Sequence, residues 1–431
     1  MRNDLTTGVQ LATGTKSLRL RWWIIAAPLV LVAVIGQIDK MAISVVMSNK
    51  QFLQDMKLIG RPAVTGLLMS GFLLSYALFH FFWGYVVKRF GPRACAIAGI
   101  LVWAGSLSLS GAAHFAGTMI TARVILGVGE AFMYPVFNAF VANWFAVKER
   151  ARAGAFWMTG ITAGPAVAGA LVVTVIAAGG WRMVFFALAV FSLLLPLPLL
   201  IFLMRDHPRQ QKLVSSEEVK LIEEGSLEKT KEVPHLTGAE RKKGYLGNYR
   251  FWLLTLAWGF SSFFVFGWTT WMPTYLQTAR HFSFQSAGGL YSLSFFFALI
   301  AVWGLGYASD RIMRRASLGS AAYIVSGLAI FAGGVIIGSP YWAIVALIIA
   351  QCGQSAGYSL NHALVHSIVP EHSVGAAVGV AGGVGQGMAI IAPTLIGFLV
   401  GVSGFGAGIF FLALSGLFSG VCMGLLVREG Y

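Results

Sequence analysis

Charge is scarce in this chain. Aspartate, glutamate, lysine and arginine make up 11% of its 431 residues, against roughly 25% in a soluble domain. Apolar residues make up 57%, more than one core can hide, so the chain reads as a polytopic membrane protein in a lipid bilayer. Cysteine is nearly absent. Cys95, Cys352 and Cys422 show neither metal-ligand nor redox spacing, which excludes a disulfide framework. A phosphate-cradling loop, a nucleophile elbow and a metal motif are all missing, so no enzyme chemistry and no cofactor is expected. His362 and His366 are four apart, but two histidines without a further ligand do not make a metal site.

What is present is apolar length. Windows of about 20 apolar residues predict twelve spans, near 22–47, 63–87, 94–113, 118–144, 153–177, 183–204, 250–277, 286–308, 318–338, 342–366, 373–400 and 405–427. The first run is too long for a signal-peptide core and is expected to stay.

The formal net charge is +15, but its placement excludes a nucleic-acid surface. With the N-terminus in the cytoplasm, only Lys50, Lys57, Arg61, Arg182 and Arg280 of the 31 basic residues fall on the opposite side. That asymmetry is the positive-inside pattern and puts both termini in the cytoplasm.

One long polar stretch divides the chain into a six-helix bundle at 1–204, a cytoplasmic loop at 205–249 and a second six-helix bundle at 250–431. Val219, Leu221 and Ile222 among charges predict a short amphipathic helix in that loop. The halves repeat: GYVVKRFGPR (84–93) and GYASDRIMRR (306–315) share Gly, Tyr, Arg and Arg at equal offsets. Two repeats around a loop imply an all-α transport fold with a site at the repeat interface.

Four charges lie deep in the spans: Asp39, Lys40, Arg123 and Glu130. All belong to the first half, and they net to zero. Such residues face a bundle interior or wet cavity and pair with one another. Arg123 and Glu130 are two helical turns apart and share a face; Asp39 and Lys40 point about 100° apart. A guanidinium fork fits a carboxylate and Lys offers a point charge, so Arg123 and Lys40 are the candidate anion-binding residues. Asp39 and Glu130 are the candidate proton-coupling residues: each acid pairs with a base when empty and takes a proton when an anion competes for that base. Tyr76 and His80, four apart, add a polar stripe to the second span.

On the loop signature GYASDRIMRR, and on RVILGVGEAFMYP (123–135), NWFAVKERARA (143–153), GGWRMVFF (179–186), WMPTYL (271–276) and IIAPTLIG (390–397), the chain resembles a major facilitator superfamily transporter of the anion:cation symporter family. That family includes sugar-acid and aromatic-acid permeases and vesicular organic-anion carriers. The resemblance implies twelve transmembrane helices in two pseudo-symmetric bundles, a functional monomer in a bacterial inner membrane, and a proton as coupling ion. It implies substrate contacts at Lys40, Arg123 and Tyr76 and proton linkage at Asp39 and Glu130. It also implies a cytoplasmic gate at Asp310 and Arg311, with Lys88 and Arg89 as first-half counterparts.

The departures from the family pattern bear on substrate. Gln37-Ile38-Asp39-Lys40 stands where Tyr-x-Asp-Arg is common. Ile161 and Gly382 stand near positions where sugar-acid members carry amides, although Gln386 keeps one a turn later. Fewer hydroxyl partners favour an aromatic or short-chain carboxylate over a sugar acid, with Gln37, Gln386 and His80 as further contacts. Lys88 reverses the charge of Asp310. The alternatives are a sugar-acid symporter, a proton-driven exporter (GITAGPAVAG, 160–169, approaches an antiporter signature) and a transporter-like sensor. The aromatic residues of 258–271 surround their helix and are expected to face mainly lipid.

Overall fold

The computed structural model describes residues 20–227, 245–370 and 373–430. The start of the N-terminal tail, the ERKKG part of the loop and the last residue lie outside them. Among the described residues every regular element is helical.

Among the described residues, eleven helices are long and apolar enough to cross a membrane. One of them, Val147–Leu203, has 57 residues, about 85 Å if straight against a hydrocarbon core of about 30 Å. It is interrupted at Gly179 and Gly180, where Gly180 sits at φ +78°, a conformation that costs an L side chain but not glycine. Divided there, the helices number twelve: α1 (Trp22–Val46), α2 (Pro62–Phe90), α3 (Pro92–Gly111), α4 (Ala116–Trp144), α5 (147–178), α6 (181–203), α7 (Tyr249–Thr278), α8 (Phe284–Ile312), α9 (Arg315–Ile336), α10 (Pro340–Ile368), α11 (Val374–Ser403) and α12 (Phe405–Arg428). Six precede the polar connection and six follow it.

The connection contains the expected amphipathic helix, Ser216–Leu227, with Ile222 buried and Leu221 exposed. Arg21, just ahead of α1, donates to Glu218 of this helix at 2.8 Å and to Glu149 near the start of α5 at 2.7 Å, tying the helix to the first half.

α4 is not continuous. Its helix breaks between Glu130 and Met133, as Pro135 dictates: proline lacks an N–H and clashes with the carbonyl four residues back, at Ala131. The break falls beside the deep acid.

The two halves meet through α1 with α7, α2 with α11, and α5 with α8. Contact is closest at the end where α2 begins and α11 finishes. There Thr394 donates to Ser70 at 2.8 Å and Ala170 N–H donates to Ser292 Oγ at 2.9 Å. Two sequence motifs join in the same place, since Trp271 of WMPTYL donates to the Pro393 carbonyl of IIAPTLIG at 2.8 Å. At the opposite end, Gly84 and Gly306 face open space. Asp310 there is well exposed and pairs only loosely within its own half, 3.7 Å from Arg315. Arg311 lies over the Tyr307 ring, Arg89 over Phe90, and Lys88 is exposed. These contacts of Asp310, Arg311 and Arg89 all lie within their own halves.

One expectation is overturned. Trp258, Phe263, Phe264, Trp268 and Trp271 are buried rather than turned to lipid. α7 is enclosed by α11, α12 and α10, so these five meet protein, while Phe260 and Phe266 stay partly exposed.

Candidate functional site

The four deep charges converge. Asp39, Arg123 and Glu130 are fully buried and Lys40 nearly so. Glycine makes this possible: a Cβ on Gly127 would sit 2.1 Å from Ser75 Oγ and 2.4 Å from the Phe72 carbonyl, so α4 packs on α2 backbone to side chain and brings Arg123 and Glu130 inward.

Arg123 Nη1 lies 3.7 Å from Asp39 Oδ1, an ion pair too long for a hydrogen bond. Its Nε points to the Leu68 carbonyl at 3.5 Å, and its Cζ lies 5.0 Å from the centre of the Phe72 ring. Both terminal nitrogens are buried with no hydrogen-bond acceptor. The back of the guanidinium is fixed and its fork is free, as bidentate capture of a carboxylate requires.

Lys40 extends over the rings of Tyr76, 4.5 Å from ring centre to Nζ, and of Phe72 at 5.5 Å. Among the described residues no carboxylate lies within ion-pair distance of it. Aromatic faces hold a cation without neutralising it.

The acids differ from the expected pairing. Asp39 accepts from Trp103 Nε1 at 2.6 Å and has Arg123 beside it. Neither Glu130 oxygen meets a hydrogen-bond donor; its carboxyl instead lies beside that of Asp39, close enough for the two to interact. One acid pairs with a base and the second leans on the first. A carboxyl–carboxyl hydrogen bond contains one proton, because two ionised carboxylates in one buried site repel.

Of the other candidates, Tyr76 is buried with its hydroxyl unpartnered. His80 is half-buried between Tyr76 and Tyr134, at ring separations of 5.3 and 5.4 Å. Gln37 packs its Cβ against Gly164 of α5. Gln386 on α11 has a buried, unpartnered Oε1, while Gly382 faces open space. Trp103, Phe72 and Tyr134 complete the surroundings and were not singled out from the sequence; aromatic letters in apolar helices carry no spacing signal of their own.

Leaving a buried polar group unsatisfied costs about 1–3 kcal/mol. Here several such atoms (Asp39 Oδ1, both Arg123 Nη and both Glu130 Oε) crowd one spot. Ion pairs kept only to fix helix register would satisfy them.

The sequence model described as Major Facilitator Superfamily matches residues 29–393. The chain belongs to that superfamily. Relatives include a probable sulfoacetate transporter of Cupriavidus necator, 27% identical over 61% of this chain and 61% of the relative. A probable L-galactonate transporter of Escherichia coli is 27% identical over 65% of this chain and 60% of its own length. The chain therefore spans about three-fifths of these relatives. Both transport anions by name, in keeping with the anion-carrier resemblance. In fold, the chain superposes on a bacterial homologue of the human lysosomal transporter Spinster, in an inward-facing and unoccupied conformation, with TM-score 0.77, 18% identity and coverage of 96% and 99% of the two chains. Family and fold are those of transporters, not enzymes.

Proposed function

We propose that this superfamily member is a proton-coupled symporter that imports a small organic anion by alternating access. The observation that carries the reading is the contact between Asp39 and Glu130 beside an Arg123 fork with no acceptor of its own.

The charges support a cycle. With both acids ionised the deep set nets to zero. One shared proton leaves one positive charge, which a monoanion cancels. The empty deprotonated form and the loaded protonated form are both neutral, and neutral forms cross a low-dielectric transition most readily. Such exchange responds to a pH gradient, worth about 1.4 kcal/mol per unit, and not to membrane potential. With the positive-inside pattern, the separated end of the halves faces the cytoplasm.

For the substrate we favour a carboxylate with few hydroxyls, aromatic or short-chain. Gly382 offers no polar group, and the nearby rings are aromatic: Tyr76, His80 and Tyr134 in the first half, and Trp258, Tyr358 and His362 in the second, where the Trp258 and His362 rings lie 4.3 Å apart at a tilt of 58°. The antiporter-like letters of the exporter alternative have a use in packing, since Gly160 and Gly164 seat α1 and Gly169 seats α8.

Uptake of radiolabelled carboxylates into proteoliposomes tests the reading. An inward proton gradient should drive accumulation of some aromatic or short-chain acid, and a protonophore should abolish it. Accumulation indifferent to the gradient, or only of cationic compounds, would overturn it.

A further inference from the structure

We propose that Trp103 is a positioning residue of the coupling site: its indole N–H holds Asp39 as the ionised partner of Arg123 and leaves the exchangeable proton to Glu130. This rests on the proton-coupled reading above, and divides between two acids a role that the sequence assigns to both alike.

The two carboxyls have unequal surroundings. Asp39 Oδ2 receives the Trp103 N–H at 2.6 Å, and Oδ1 faces Arg123 at 3.7 Å with no hydrogen bond of its own. Donors favour the ionised form of a carboxylate. Glu130 has none, and both of its oxygens are buried. A proton placed on Glu130 can be donated to the Asp39 carboxylate beside it. The reverse placement would spend Asp39's proton on an acid with no other support and oppose both the Trp103 donor and the Arg123 charge.

The charged and titratable groups facing this pair are Lys40 on α1, Arg123 on α4, and Tyr76 on α2 near Glu130. Trp103 is the contribution of α3, and it is neutral. It biases the pair without adding a charge that the substrate would have to displace.

The slot for the indole is built by two other helices. A Cβ on Gly129, next to Glu130, would lie 2.8 Å from Trp103 N and 3.0 Å from its Cα. A Cβ on Gly36 of α1 would lie 3.6 Å from the far edge of the indole, at Cη2. α3 therefore approaches α4 with backbone nearly in contact at the position from which Trp103 reaches Asp39.

The test is difference infrared spectroscopy of the protonated-carboxyl band on the purified full chain, titrated with pH and without substrate. Glu130→Gln should remove the band and Asp39→Asn should keep a band from Glu130. Trp103→Phe, which keeps a ring but removes the donor, should shift the band's midpoint alkaline by about one pH unit, a tenfold change in proton affinity. Trp103→His, which retains a ring N–H, should return it toward the wild type. An unmoved midpoint in a Trp103→Phe protein that melts like the wild type overturns the inference, as does a band that survives Glu130→Gln and vanishes in Asp39→Asn. Substrate-driven proton uptake by wild-type proteoliposomes is measured alongside. Its absence sinks the symport reading by itself, whatever the infrared bands show.

Discussion

Thr394 donates a hydrogen bond to Ser70 across 2.8 Å, joining positions 324 residues apart in sequence. Around that bond the halves touch with almost nothing between their backbones. A Cβ on Gly66 would lie 2.4 Å from the Pro393 carbonyl, and one on Gly397 would lie 2.4 Å from the Pro62 carbonyl. Closure at this end is a glycine contact, which opens without dragging long side chains apart.

Gly66→Val should therefore weaken that closure. Forced overpacking costs about 1–3 kcal/mol, enough to shift a two-state population about tenfold. Ser44 on α1 is buried near the same end. In a background lacking Cys95, Cys352 and Cys422, Ser44→Cys should react with an impermeant thiol reagent about ten times faster when Gly66 is valine. Equal rates would remove the gate from this contact.

Arg123 offers the free fork, so its replacement separates binding from folding. Truncating one partner of a buried charge pair costs about 2–5 kcal/mol, which is a loss of about 30-fold or more in affinity. Arg123→Lys keeps the charge beside Asp39 and loses the fork; the transport KM should rise by that factor while the detergent-solubilised protein stays monodisperse. Lys40→Arg supplies a second fork and should alter the ranking of substrates more than the maximal rate. A KM indifferent to Arg123→Lys would remove it from the substrate.

Glu130→Gln is uncharged at every pH. Downhill exchange of labelled for unlabelled substrate should continue, because both bases remain, whereas uphill accumulation under a proton gradient should fall to the equilibrium level. The comparison is made in the same vesicles with and without trans substrate. Full accumulation in this variant would show that the driving proton travels elsewhere.

The spans, though not their exact edges, and the four deep charges were legible in the sequence for one reason: the bilayer penalises error heavily. An apolar run shorter than the membrane or an unpartnered charge inside it is costly, so each carries a strong signal. Within the site, Asp39, Lys40, Arg123 and Glu130 come together as their rarity implied. Their pairing was not legible. Which base meets which acid depends on the rotation of α1 against α4 and on where Gly127 and Gly129 let α2 and α3 approach. Trp103 and Phe72 were invisible because an aromatic residue in an apolar helix looks the same whether it faces lipid or a carboxylate. The α7 aromatics misled for the converse reason: periodicity shows which residues share a face, and it does not show how many neighbours a helix has.

Lys88 stands where the second half has Asp310, and both are exposed at the separated end of the halves. With no carboxylate at 88, the first half lacks the acid that would meet donors of the other bundle when this end closes. Lys88→Asp should favour that closure. Cysteines placed in the vestibule on this side should label more slowly and those near Ser44 faster. No change in either would show that the charge reversal is without consequence for gating.

The last prediction concerns the opposite loop. The helix Lys50–Asp55 is tied to the turn between α5 and α6 by Asp55, which accepts from Trp181 Nε1 at 2.8 Å and from Arg182 Nη1 at 2.7 Å. These are the Trp and Arg of GGWRMVFF, and Gly180 at positive φ aims them at the loop. The Trp181 bond first, and Arg182 second, hold the Asp55 carboxyl below its ordinary value of 3.8. An acid whose folded value is depressed stabilises the fold above its unfolded value and loses that contribution as pH falls through the folded one. The tie is therefore intact across neutral and mildly acidic pH, and it releases only below about pH 4. The pair is partly exposed, so its worth is about 1 kcal/mol or less. In protein labelled with fluorotryptophan, the Trp181 resonance, assigned with Trp181→Phe, should be flat from neutral pH down to that range and then move. In Asp55→Asn it should already sit displaced and show no such step. A step at neutral pH, or one that survives Asp55→Asn, would mean that another group holds the loop.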